Sequence, residues 1–292
     1  FGGELREQIQ YYNNYNFGDP PSAPDQSHTL QLLHRVMAHA NIEVGSKTRV
    51  FTQLNSTFRF LNQNRATPEI DENHLSLHQL FGEYRLHNQL VLRLGRQEIS
   101  YGSHRLITYR EGPNTRLAFD AAIVKYSAEK RKIDLLAISP VVSRKGVFDD
   151  GTLKDLLAGV YATEKVFCKR MNIDYYILHF QSHRRKYNYQ EGVDSRRITG
   201  LRVYSQNKSF NYEAEATYQF GTFNDLKVSA YSLSADVNTA IPTKVEILFG
   251  IAGNYVSGDR DINDKQLNTY NSLFSKPQYG LTAPIGATNI IT

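Results

Sequence analysis

Residues 210–220 read Phe-Asn-Tyr-Glu-Ala-Glu-Ala-Thr-Tyr-Gln-Phe. Tyr212, Ala214, Ala216, Tyr218 and Phe220 fall on one parity, and Asn211, Glu213, Glu215, Thr217 and Gln219 on the other. Successive side chains of a strand point to opposite faces, so this segment is a strand with one apolar and one polar face. Its length matches the ~9–11 residues of a tilted membrane-crossing strand. Rings stand near both ends of the apolar face, where outer-membrane strands place their aromatic girdles. Both carboxylates lie on the polar face, which a solvent-filled lumen would accept. A surface strand of a soluble sandwich alternates in the same way, so the decision passes to the spacing of the other strands.

Strand patterns fall at 3–12, 30–44, 48–56, 77–86, 90–101, 116–126, 133–142, 156–163, 172–181, 197–204, 210–220, 226–233 and 244–255. Connections after odd-numbered strands are mostly long: 13–28, 57–74 with a short strand extension at 58–61, 102–115, the stretch around 146–152, and the basic, aromatic loop 183–196. Those after even-numbered strands are mostly short: 45–47, 87–89, 129–132, the passage around Cys168, and 206–208. The short 221–225 loop breaks the pattern once, and residues 256–292 read as loop. Up-and-down membrane barrels sort their loops in this way, long outside and short on the periplasmic side. A soluble sandwich has no reason to. Residues 1–292 therefore read as one all-β, antiparallel, transmembrane barrel domain. Thirteen strands is an odd count, whereas bacterial single-chain barrels close on even numbers, and unpaired edges are not viable in lipid. The expectation is that the barrel closes with strands beyond Thr292.

Composition agrees. The 292 residues are 40% hydrophobic and 12% aromatic, with 19 Tyr, 15 Phe and no Trp, at a mean hydropathy of −0.48. No run approaches the ~20 apolar residues of a transmembrane helix, whereas half-apolar strands suit this hydropathy. The single Cys excludes an internal disulfide and argues against a cysteine-built metal site. No leader is visible before Phe1-Gly2-Gly3. The +5 net charge is interspersed with acids, with no basic run interleaved with rings, which argues against nucleic acid. His34 and His39 have opposite strand parity and are not metal-spaced. Ser100, Ser103 and His104 have no carboxylate to orient the imidazole, so no nucleophile–base–orienter set is legible and the chain does not read as an enzyme.

If the apolar faces meet lipid, Arg6, Arg35, Arg49, Arg85, Arg93 and Arg202 point inward, joined by Glu4, Glu43, Glu83, Asp120, Glu213 and Glu215. A guanidinium offers a planar charged fork that fits a carboxylate, and rings of Arg or Lys let pores select anions. The competing reading is that the arginines pair with the acids across neighbouring strands and only hold the lumen together. Strict alternation sends Arg96 outward, and a bulge at Gly95 would turn it inward. Asp259, Asp261 and Asp264 form a calcium candidate spaced like the start of an EF-hand loop, without its glycine or distal glutamate. No other cofactor is implied. The loop His183-Arg184-Arg185-Lys186-Tyr187, with Arg196 and Arg197, is a candidate contact for lipopolysaccharide or an anionic polymer, with a merely solvated loop as the alternative.

Several stretches resemble the alginate export family of outer-membrane barrels. They are LRLGRQEISYGSHRLI at 92–107, RLAFDAAIVKY at 116–126, RRITGLRVYS at 196–205 with YEAEATYQFG at 212–221, and NYVSGDRDINDKQLNTYNSLF at 254–274. LHRVMAHANIEV at 33–44 and LSLHQLFGEYRL at 75–86 agree more loosely. The resemblance runs in order along nearly the whole chain. It implies an 18-stranded barrel with about 13 strands in these residues, an inward Arg96, and passage of an anionic polysaccharide across the outer membrane. Ala118 and Ala121 depart from the pattern beside Phe119-Asp120, and Ile123 stands where the family has a lumen arginine. The expectation is thus a passive bacterial outer-membrane channel for an anionic polysaccharide or oligosaccharide, surrounded by lipid and lipopolysaccharide. Two alternatives stay open: a general or anion-selective porin for small solutes, and a structural barrel subunit of a larger envelope complex.

Overall fold

An alternating strand can hide one face, but its backbone N–H and C=O groups need partners along both edges. Hairpins supply those partners strand by strand. A computed structural model of the protein describes residues 1–13, 28–60, 71–149, 151, 153–166, 171–187, 190–205, 207, 210–241 and 247–275. The loop predicted at 13–28, most of that at 57–74, Cys168, most of the 206–208 turn, the start of the thirteenth strand and the tail from 276 lie outside these residues.

Thirteen antiparallel strands form one up-and-down sheet in chain order. They are β1 (Gly2–Asn13), β2 (His28–Val44), β3 (Thr48–Phe60), β4 (Asn73–His87), β5 (Leu90–Gln97), β6 (Phe119–Ser127), β7 (Arg131–Pro140), β8 (Asp155–Val166), β9 (Met171–Tyr187), β10 (Gln190–Ser205), β11 (Phe210–Phe223), β12 (Leu226–Ile241) and β13 (Ile247–Val256). A two-residue β14 (Gln266–Leu267) runs parallel to the start of β12. Among the described residues β1 and β13 do not pair, and the sheet is open there. The all-β, up-and-down architecture is the one the alternation predicts.

The outer face is apolar. Ile177 and Leu201 are 70% and 51% exposed, and Tyr218 and Tyr231 pair across β11 and β12 on the same side. Glu7, the one acid on the apolar face of β1, hydrogen-bonds the His34 ring on β2. The inner face is not simply wet. Glu215, Thr217 and Gln219, the polar side of the opening strand, are buried. Two segments cover this face: 98–118, between β5 and β6, and 257–275, after β13. They meet where Thr108 N donates to Phe274 O (3.1 Å) and Phe274 N donates to Leu106 O (2.9 Å). Ile99, Ile107, Leu273 and Phe274 pack there against Phe119, Ile138, Leu157, Phe180 and Ile198 from β6, β7, β8, β9 and β10. The Phe274 ring stands edge-on to Phe119 and Phe180, with centroids 5.4 and 6.3 Å away.

Several boundaries therefore differ from the expectation. β5 ends at Gln97 rather than Tyr101 and β6 starts at Phe119 rather than Arg116, because the intervening chain turns inward to bury its apolar side chains. Residues 183–187 and 190–196 are the arms of the long β9–β10 hairpin, not a loop, so a second odd-numbered strand is followed by a short connection. The chain after 256 is not a free loop: Thr269–Ser275 is largely buried.

Arg96 and Asp120 do not face the lumen. The β4–β5 register runs unbroken through Gly95, pairing Phe81 with Gly95 and Leu80 with Arg96, so there is no bulge. Arg96 thus shares the outward parity of Leu94, and Asp120 lies opposite to the buried Phe119 and Ile123. Gly95 serves another need. Its φ is +124°, and a side chain there would meet the Leu80 carbonyl and Phe81 Cα. Where β5 leaves the sheet early, the chain after β7 fills the notch. Val147 bridges Leu75, Asn73 Nδ2 donates to Asp149 Oδ2 (2.7 Å), and Arg96 Nη1 donates to Asp149 O (3.0 Å).

The two faces make a direct prediction. Leu201→Arg puts a charge in the middle of the outer apolar band and is expected to destabilise the folded protein in lipid by ~2–4 kcal/mol. Denaturant unfolding in vesicles measures this, and a neutral effect would mean that this face does not meet lipid.

Candidate functional site

The inner face gathers charge in three groups, each set by strand register. In the first, Arg6 of β1 and Arg35 of β2 pair directly. The fully buried Arg35 guanidinium donates through Nε to Glu4 Oε1 (3.0 Å) and through Nη2 to Glu111 Oε1 (2.5 Å). Arg116 Nη2 reaches Glu4 Oε2 (2.8 Å), its Nη1 lies 3.5 Å from Glu98 Oε1, and its Nε pairs with Glu111. Arg6 donates to the carbonyls of Glu111 (3.0 Å) and Pro113 (3.2 Å). This group ties the first wall strands to the inward segment. Burial would push the Glu111 carboxyl up, but the hydrogen bonds from Arg116 and Arg35 outweigh it and hold it below the usual carboxylate range.

In the second group the register aligns Arg49, Glu83 and Arg93 across β3, β4 and β5. Arg49 Nη1 donates to Glu83 Oε2 (2.8 Å) and Arg93 Nε to Glu83 Oε1 (2.7 Å). The Arg93 guanidinium lies 4.7 Å from the Phe81 ring centre. Phe81 stacks on Phe51 and Phe51 on His39, at 5.3 and 5.4 Å. The third group centres on Arg202, which donates to Asp174 Oδ2 (2.8 Å) and Glu213 Oε2 (2.5 Å) and lies 3.8 Å from the Tyr204 ring centre. Tyr161 donates to Asp174 (2.8 Å), Tyr176 to Glu215 (2.9 Å), and Tyr101 of the inward segment to Asp134 (2.7 Å).

Between the second and third groups lies a cavity of about 510 Å³. Arg93, Lys125, Lys132, Arg202 and Tyr204 line its walls, and residues from Glu98 to Gly102 lie across it. Glu98, Asp134 and Asp174 also line it, so its four cations face three acids. Lys125 and Lys132, on β6 and β7 beside their short turn, make no hydrogen bond or ion pair among the described residues.

The register thus brings Arg49, Glu83 and Arg93 together, and separately Arg202, Glu213 and Glu215. Arg6 and Arg35 join the inward segment. Arg85 has the parity of Glu83 but is exposed near the β4–β5 turn. Arg96 and Asp120 pair with one another on the outer side, Nε to Oδ1 at 2.8 Å. Arg196, expected on a basic loop, is buried. It donates to Asp194 Oδ1 (2.7 Å), Gln219 Oε1 (3.0 Å) and Thr269 O (2.8 Å), and so anchors the second inward segment.

Sequence reading missed Glu98, Tyr101, Glu111, Arg116, Lys125 and Lys132. A signal was present, since a solvated loop has no use for Ile99, Leu106 and Ile107. Asp261 and Asp264 use Oδ1 to accept from Asn263 N (3.0 Å) and Gln266 N (2.8 Å) of their own loop. Among the described residues no three His, Cys, Asp or Glu side chains are placed to hold a metal ion. Ser100 bonds Thr108 and Ser103 bonds Glu215.

An apolar outer face, a charged inner face and antiparallel neighbours in chain order are those of the wall of an outer-membrane-type β-barrel. The family model described as Alginate export matches residues 1–292, and the chain belongs to that family. It is a family of outer-membrane transport proteins, not of enzymes. No curated protein matches the chain.

The lowered Glu111 pKa has a pH consequence. A carboxylate held low contributes stability above its unfolded pKa and loses it as pH falls through the folded one. The tie from Glu111 to Arg35 and Arg116 is therefore complete at neutral pH and is lost only as pH falls below the ordinary carboxylate range. Bilayer conductance is expected to be steady from pH 8 to 5 and to rise in stronger acid. Glu111→Gln is expected to show the raised conductance already at pH 7.

Proposed function

We propose that the chain conducts an anionic polysaccharide or oligosaccharide passively across the outer membrane. The observation that carries this reading is the cavity between Arg93 and Arg202. Lys125 and Lys132 line it without a hydrogen bond or ion pair among the described residues, beside Tyr101, Tyr161 and Tyr204. The arginines are fixed by their carboxylates and present oriented N–H groups, while the lysines supply charge that no hydrogen-bonded carboxylate takes up among the described residues. A carboxylated sugar chain meets weak cationic sites there rather than one deep trap, which lets it advance.

A second reading rests on the same lining. Four cations against three acids is a mixed field, which suits an anion-preferring porin for small solutes.

Planar-bilayer recordings of the full-length protein separate them. Polyuronate is expected to block the current, and Lys125→Gln to weaken the block about tenfold, as loss of one charge-assisted contact does. Glu83→Gln frees Arg49 and Arg93 and is expected to strengthen it. A current indifferent to polyuronate sinks the polysaccharide reading and leaves the porin.

A further inference from the structure

The outer face of β9–β12 changes character along the strand axis. Register defines its rows. Ile177, Thr199, Tyr218 and Tyr231 form one. The next toward the hairpin tips holds His179, Arg197, Phe220 and Ser229, and the one after it Gln181, Ser195, Thr222 and Lys227. The band thus thins at its rings, and cations begin at the level of Phe220, with Val193 an exposed apolar side chain further toward the tip of β10. Arg184 and Lys186 are exposed further along the β9 arm.

None of His179, Arg184, Lys186, Arg197 and Lys227 uses its side chain in a hydrogen bond or ion pair among the described residues. Nearby acids do not answer them. Asp155 and Asp194 are taken by Arg185 and Arg196. Glu191 and Asp225 lie at the hairpin tips, two acids against four permanent cations. This is the reverse of the inner face, where the arginines are neutralised.

A lone cation beside hydrocarbon is costly, and the cost fades at the headgroup level. A free anion in solution has no reason to choose a site continuous with Ile177, Leu201 and Leu233. An occupant that matches both halves has acyl chains for the apolar rows and phosphates for the cations. We propose that this patch seats the phosphate groups of lipid A in the outer leaflet, with Arg197 and Lys227 as the principal contacts and His179 beside them. The proposal rests on the outer-membrane reading above.

The test uses the full-length protein in detergent, titrated with bis-phosphorylated lipid A, with the same lipid stripped of phosphate, and with phosphatidylglycerol. Native mass spectrometry counts the bound lipid. Bis-phosphorylated lipid A is expected to bind at least tenfold tighter than either competitor. Each removed charge is expected to weaken it roughly fivefold, so Arg197→Gln with Lys227→Gln loses about 25-fold. Lys125→Gln, inside the cavity, is expected to bind lipid A as the wild type does. Equal binding of the dephosphorylated lipid, or of phosphatidylglycerol, overturns the proposal, as does an unaffected double variant. Wild-type protein that conducts in bilayers yet ignores the phosphates sinks the patch alone. Protein that fails to enter bilayers at all removes the patch and the outer-membrane reading together.

Discussion

In hydrocarbon, every backbone N–H and C=O must find a partner within the protein. That constraint shapes the whole chain. It forces β2 to β12 to pair on both edges, makes neighbours of consecutive strands, and leaves only side chains free to differ between the faces. It also accounts for the notch repairs. Where β5 turns inward after Gln97, Val147 takes its place beside Leu75. Where β13 ends at Val256, Gln266 and Leu267 pair with Lys227 and Val228. In both places a distant piece of chain satisfies an edge that would otherwise be bare.

Inside, the dominant theme is mutual neutralisation of arginine and carboxylate. A guanidinium taken out of water costs several kcal/mol unless it is paired and fully hydrogen-bonded. Arg35, Arg196 and Arg202 are deeply placed, and each is held by carboxylates. Such pairs fix geometry more than they add stability. Of the four cations that line the cavity, Lys125 and Lys132 make no hydrogen bond or ion pair among the described residues. The inner face counted as arginine-rich from sequence is, in three dimensions, largely a scaffold of ion pairs.

The two inward segments join wall to interior. Apolar burial of Ile107, Leu273 and Phe274 holds them against β6–β10, while Arg35, Arg116 and Arg196 hold them by polar ties. The apolar part is insensitive to pH and the Glu111 part is not. The two kinds of anchor thus answer to separate physical controls within the same stretch of chain.

Period-two alternation was enough to read the strands, their order and the two faces, because lipid on one side demands apolar residues at every second position. Tyr212 to Phe220 carried that message unaided, and Arg49, Glu83, Arg93 and Arg202 were placed inward by parity alone. Alternation also sent Arg96 outward, against the inward position that family resemblance suggested, and the unbroken register agrees with alternation. Register, however, involves residues far apart in sequence. Nothing local says that Glu111 meets Arg35, that Thr269 caps Arg196, or that Gln219 lies under a folded-in segment rather than in water. Those contacts depend on where 98–118 and 257–275 come to rest, which is decided by the apolar surface the assembled wall offers them. Alternation along the chain was enough for the wall and its two faces; which charges pair inside it depends on the assembled sheet, because pairing is a matter of distance and distance is set by the whole sheet.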